Sequence, residues 1–343
     1  MNKKKLSIGF TAVLLVITII TLIPRKGTRL NEISGQTMGT IMYHVKVVGH
    51  PELDFEKSID SLLVVFNQAL SVYIPDSEIS TFNQTGELSH PSELFTDVFE
   101  RSQAVYERTD GAFDPTVGPL ISIWGFGPDK TVIIPDSSII DSVLLLVSME
   151  KVDYENGLLT KDRNVQLDFG AIAKGQAVDE VGKWLERKGV QNYLVEIGGE
   201  VRCKGLNQDG RTWAIGIEDP TVSQFETRGL AIVNVQDRSL ATSGNYRNYY
   251  KTEGQIYAHI IDPRTGYNAR HNLLSASVFA SDCMTADAFA TAFMVLGLEE
   301  SIQIVEDDSN LDAVFVFSSE GEIDVYVSTG ITEIIELTET LAE

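Results

Sequence analysis

Cysteine is almost absent. Cys203 and Cys283 are the only two in 343 residues. Eighty positions apart, they define no disulfide framework and no CxxC zinc site, and they read as unpaired small apolar residues. Histidine is nearly as scarce: five in all, unclustered, with no HExxH, which removes the usual zinc-enzyme patterns. Basic residues are also few, 27 Lys and Arg against 49 Asp and Glu, a formal charge of −22. So acidic a surface repels phosphate backbones and excludes nucleic acid as a general partner. An anionic ligand can bind only where local donors or a cation overcome that field. Internal repeats and low-complexity tracts are missing, and long apolar runs are missing save one.

That run lies at the amino terminus. Leu6 to Ile23 carries no charge, with Lys3, Lys4 and Lys5 before it and Pro24, Arg25 and Lys26 after. It reaches the lower end of a membrane-spanning length, exceeds the core of a typical signal peptide, and ends without a small-x-small cleavage site. Residues 6–23 therefore read as an uncleaved signal anchor, with secretion after cleavage as the alternative. Basic residues on both sides orient it only weakly. The rest, 43% apolar and 22% charged overall, has ordinary globular composition and ample material for a core. The chain divides into residues 1–29 (anchor and linker), 30–335 (a single folded domain) and 336–343 (an acidic tail).

Alternation at Ile41, Tyr43, Val45 and Val47 predicts a strand. Helical spacing follows at Phe55, Ile59, Leu62, Leu63 and Phe66, and a second helix is expected over 92–108, ended by "TDGAFDP". "VQLDFGAIAKGQAVDEVGKWLERKG" reads as strand, tight turn and helix, with Ala177, Val181, Trp184 and Leu185 as the apolar stripe. Short strands with Gly, Asn and Asp turns follow, then a helix from Asp282 and a hairpin in "AVFVFSSEGEIDVYVSTG". The tail "ITEIIELTETLAE" suggests an acidic helix or a frayed end. The fold class is α+β, largely antiparallel sheets with packed helices.

Three places carry chemistry. In "SDCMTADAFATAFMVLG" Asp287 and Thr291 stack one turn apart on a helix otherwise built for burial. A buried carboxylate needs a partner, whether metal, ligand or cap. In "LDFGAIAKG" Lys174 falls in the first turn of a helix, where free N–H groups attract phosphate; the plainer alternative is a surface lysine beside Asp168 as N-cap. In "AHIIDPRTG" His259 is either a satisfied core residue or a general base.

Individually these signals decide nothing; their order does. "TMGT", "YIPDSEISTFN", "GAFDPTVGPL", "LDFGAIAKG", "EIGGE", "TSGNY", "HIIDPRTG" and "MTADAFATA" together resemble the ApbE family of FAD:protein FMN transferases, over about Gln36 to Gly297 and on towards Gly330. The resemblance implies a T-fold-related catalytic domain that binds FAD and Mg2+, cleaves the pyrophosphate and passes FMN to a threonine or serine hydroxyl, with AMP leaving. It implies FAD contacts from Met38, Tyr73, Ala112, Phe113, Asp114, Asp168, Lys174 and His259. The metal ligands it implies are the Ala171 carbonyl, the Asp287 carboxylate and the Thr291 hydroxyl, with Lys174 and His259 catalytic. Ala290 stands where acidic members often carry a further Asp or Ser, which puts a second metal site in doubt. The partner implied is an FMN-binding-domain or redox-pump subunit on the extracytoplasmic face of a bacterial membrane. An FAD pyrophosphatase and a non-enzymatic flavin carrier are the competing classes.

Overall fold

Met42 and His44 are exposed, whereas Tyr43, Val45 and Val47 are buried, the two-residue period of a half-buried strand. The computed structural model describes residues 29–50, 55–127, 134–222, 228–245, 249–252, 255–258 and 260–338. That strand, β2 (Ile41–Val48), forms a hairpin with β1 (Leu30–Thr37). The two head an eight-stranded sheet continued by β6 (Tyr193–Ile197), β7 (Glu200–Lys204), β10 (Ser239–Gly244), β13 (Leu273–Ala280), β14 (Asp312–Ser319) and β15 (Glu322–Val327). Every neighbouring pair is antiparallel.

Both faces of this sheet are covered, which explains why β13 and β14 read as nearly continuous apolar runs. Ala276, Val278, Ala313 and Phe315 face the main core, which includes α6 (Ala173–Arg187) and α7 (Cys283–Leu296). Phe279, Val314 and Val316 face the other way, onto Trp213, Ile215, Ile217 and Val233 of β8 (Trp213–Glu218) and β9 (Gly229–Val235). Helix α7 is buried on nearly all sides, as its composition predicts. The main core also takes in α1 (Glu56–Leu70), α2 (Glu78–Thr85) and α3 (Glu93–Arg108) through Ile59, Phe82 and Phe95. Ser92 caps α3, accepting the Phe95 N–H at 3.3 Å.

Two expectations fail. "VQLDF" is no strand: Gln166 makes a single parallel bridge to Val117. Asn83 holds Leu167 instead, its amide donating to the Leu167 carbonyl and accepting the Leu167 N–H, both at 2.8 Å. A side chain thus does the work a neighbouring strand would do. The described part of the tail, to Thr338, holds no α-helix either. Ile335–Leu337 form β16, which pairs with β9, because Ile331 is buried and the segment after it reaches an open sheet edge. No helix among the described residues is long and apolar enough to cross a membrane, and the run 6–23 lies outside them. Cys203 and Cys283 are buried and unpaired.

Candidate active site

Helices α6 and α7 meet where each starts, and each caps the other. Asp287, four residues into α7, accepts the Gly175 N–H of α6 at 2.9 Å. Asp179, four residues beyond Gly175, accepts the N–H groups of Cys283 and Met284 at 3.0 and 2.9 Å. Asp282 completes the start of α7 by accepting the Thr285 N–H at 2.8 Å. Helix-start amides that would otherwise lack partners are thereby satisfied across the interface. Gly175 is required because a Cβ there would lie 2.3 Å from the Cys283 carbonyl oxygen.

Lys174 rises from this junction. Its ammonium donates to Glu200 Oε1 and lies 3.5 Å from Asp287 Oδ1. Burial opposes its charge, but Asp287 and Glu200 together hold its pKa above the ordinary lysine value. Burial pushes Glu200 up to about 7 against the pull of Lys174, with Asp287 adding to the rise. Glu200 Oε2 is buried without a hydrogen-bond partner, an orphan that calls for explanation. Glu200 closes the "EIGGE" turn, where no local pattern marks it as a partner of Lys174. It begins β7 after Gly198 and Gly199, both left-handed at φ 62° and 102°. Gly198 approaches the Lys174 stem closely, and its N–H donates to the Met42 carbonyl at 3.1 Å.

The β1–β2 turn is thus drawn towards the lysine, and at its tip Met38 holds a left-handed φ of 46°. That conformation is strained for a residue with a side chain, and such strain clusters at functional sites. Asp168 is half-buried, its pKa raised by burial, its Oδ1 accepting the Gly170 N–H at 2.7 Å. It does not cap α6. Its own N–H donates to the Pro115 carbonyl at 2.7 Å, which ties it to the Ala112–Asp114 segment. Ala112 and Phe113 have buried side chains within the main core, so the polar groups this segment can offer a ligand there are those of the backbone. Burial raises the Asp114 pKa, opposed by the Thr116 hydroxyl and N–H at 2.6 and 2.8 Å. Tyr73 is an exposed aromatic whose phenol is raised by desolvation and by the nearby Asp168 charge. His259 lies outside the described residues.

Among the described residues no three His, Cys, Asp or Glu side chains form a metal cluster, so an ion here must draw on other oxygens besides Asp287. They are present. The Ala171 carbonyl lies just before the start of α6, and the Gly175 N–H four residues on is turned to Asp287 instead. Thr291 pairs its hydroxyl with Ser243 at 3.1 Å. Carbonyl, carboxylate and hydroxyl are the hard oxygen donors magnesium takes, and the residues fit it.

Fold and site together define an α+β enzyme with a lysine, two buried carboxylates and a helix start converging on one place. The ApbE family model matches residues 38–315. An FAD:protein FMN transferase of Vibrio cholerae is 40% identical over 283 residues, 80% of this chain and 84% of that protein. The Haemophilus influenzae protein of the same name is 36% identical over 98% of this chain and 99% of its own. Among solved structures, the flavin transferase ApbE from Vibrio cholerae superposes with TM-score 0.81 at 35% identity, covering 90% of this chain and 99% of that one. The apo flavinyl transferase ApbE of Pseudomonas stutzeri gives 0.80 at 31%, covering 90% and 97%. The chain belongs to the ApbE family. It is an enzyme, a transferase.

Proposed function

We propose that this chain transfers FMN from FAD to a threonine or serine hydroxyl of a partner protein, with magnesium, and releases AMP. The observation that carries the reading is the Lys174–Asp287–Glu200 cluster at the start of α6, in a chain of this family. Magnesium held by the Ala171 carbonyl, Asp287 and Thr291 would neutralise charge on the pyrophosphate. Lys174 would stabilise the same charge as the acceptor oxygen attacks the flavin-side phosphorus. The P–O–P bridge breaks and AMP leaves with the electron pair. His259 is the candidate to accept the hydroxyl proton. Met38 and Tyr73 would bear on the flavin or adenine, and the Ala112–Asp114 segment would contribute backbone groups.

The acceptor is taken to be an exported flavoprotein subunit of the FMN-binding-domain or redox-pump type. The chain would work on the extracytoplasmic side, held to the membrane by residues 6–23. Incubation with FAD, magnesium and an FMN-binding-domain protein should leave that protein fluorescent in a denaturing gel. Release of FMN and AMP with a dark acceptor would instead make the enzyme an FAD pyrophosphatase.

A further inference from the structure

Lys174 has two carboxylates within reach and only one ammonium to share. Glu200 and Asp287 retain 3% and 2% side-chain exposure, and neither can turn to water for compensation. Asp287 Oδ2 is committed to the Gly175 N–H at 2.9 Å, so Oδ1 is the oxygen left for any cation. Lys174 stands 3.5 Å from that Oδ1, short of direct contact, because its hydrogen bond goes to Glu200 Oε1. A charge-assisted contact would close to about 2.8 Å if nothing held the ammonium back.

What holds it is rigid. Glu200 is the first residue of β7, pinned opposite Ile197 of β6. The Gly198–Gly199 turn before it leaves no room for a Cβ at Gly198, which would lie 2.8 Å from Ile41 Cγ2, and it runs beside the Lys174 stem, whose Cδ would be in ordinary contact with that Cβ at 3.7 Å. A flexible lysine stem is thus located by a strand and a turn, and Lys174 is the only ion-pair partner Glu200 has among the described residues.

We propose that Glu200 is a positioning residue: it holds the Lys174 ammonium off Asp287 Oδ1, so that this carboxylate stays available to a divalent cation. The proposal rests on the reading of Asp287 as a magnesium ligand. It makes lysine and metal competitors for one oxygen, with Glu200 setting the outcome. Without Glu200, Lys174 closes on Asp287 and the cation must displace it.

The test is Mn2+ binding to the full-length protein at pH 8, with the metal alone and no nucleotide, read from the electron paramagnetic resonance of free Mn2+. Glu200→Gln keeps the shape and removes the tether's charge. It should weaken Mn2+ binding about ten- to a hundredfold, the usual effect of losing a group that orients a metal ligand. In a Lys174→Met background the same Glu200→Gln change should have little effect, because no ammonium is left to restrain. An equal loss in both backgrounds would mean that Glu200 acts only through its field, and would overturn the proposal, as would no loss in either. Lys174→Met alone leaves Glu200 in place and gives a reading even if Glu200→Gln fails to fold. It should bind Mn2+ at least as tightly as the unmodified protein, and weaker binding would overturn the competition. Absence of Mn2+ binding by the unmodified protein would remove the metal assignment itself, and this proposal with it.

Discussion

Replacing Gly175 with alanine puts a methyl carbon 2.3 Å from the Cys283 carbonyl oxygen, 2.7 Å from its carbon and 2.8 Å from Asp287 Cβ. Two of those three atoms are backbone of α7 and cannot swing aside. Ordinary contact begins near 3.4 Å, so α6 and α7 must part by about 1 Å. Overpacking of this kind costs about 1–3 kcal/mol. A rigid backbone neighbour puts Gly175→Ala at the upper end, about 3 kcal/mol, against which better helix propensity returns about 1 kcal/mol. The net loss of about 2 kcal/mol should lower the melting temperature by about 4 °C. Activity should suffer more than stability, because the displaced Asp287 also leaves the Gly175 N–H and the neighbourhood of Lys174. A misplacement of about 1 Å can cost about a hundredfold in rate. Two controls bracket the measurement. Gly182→Ala meets only side-chain atoms, those of Arg202 and Tyr193 at 2.9 Å, rather than backbone at 2.3 Å, and should cost less. Gly216→Ala meets nothing within 4 Å and should be nearly neutral. Calorimetry and flavin transfer would be measured on all three. A Gly175→Ala protein as stable and active as the parent would refute the tight α6–α7 contact.

Asp287→Asn keeps the shape of the Gly175 cap but removes the charge. It should fold with a melting temperature close to the parent's and lose magnesium-dependent transfer by about a hundredfold or more; near-normal rates at limiting magnesium would remove Asp287 as a ligand. Glu200 gives a pH signature. Its folded pKa of about 7 lies above its ordinary 4.5, so between those values the folded state holds a proton the unfolded chain has released. Its contribution to stability is complete below about 4.5 and is lost as pH rises through about 7. Denaturant titrations in EDTA should show Glu200→Gln lacking that component, and parallel pH profiles for the two proteins would contradict the assignment. A chain beginning at Leu30 should be soluble and active while losing membrane association. Recovery of the full-length protein in the cytosolic fraction would count against the anchor and the exported acceptor together.

Much of this protein is written locally. The two-residue alternation over Ile41–Val48 specifies a strand with one buried face, and the all-round apolar composition of α7 specifies a helix with no free side. Asp287 and Thr291 are placed on one helical face by their spacing alone, and the order of short motifs is enough to indicate the family. Other features depend on partners that local pattern cannot name. The tail's acids suggested an acidic helix or a frayed end, but an open edge of β9 makes Ile335–Leu337 a strand. "VQLDF" has the composition of a strand, but the amide of Asn83, 84 positions from Leu167, takes its hydrogen bonds. The site shows the same division. Lys174 and Glu200 are 26 residues apart, and Asp179 is 104 from the Cys283 N–H it caps. Periodicity fixes which face a side chain shares, because neighbours along the chain obey helix and strand geometry. Which charge it meets across that face is set only when sheet and helices close around it. The pairing of Lys174 with Glu200 beside Asp287 belongs to the tertiary structure for that reason.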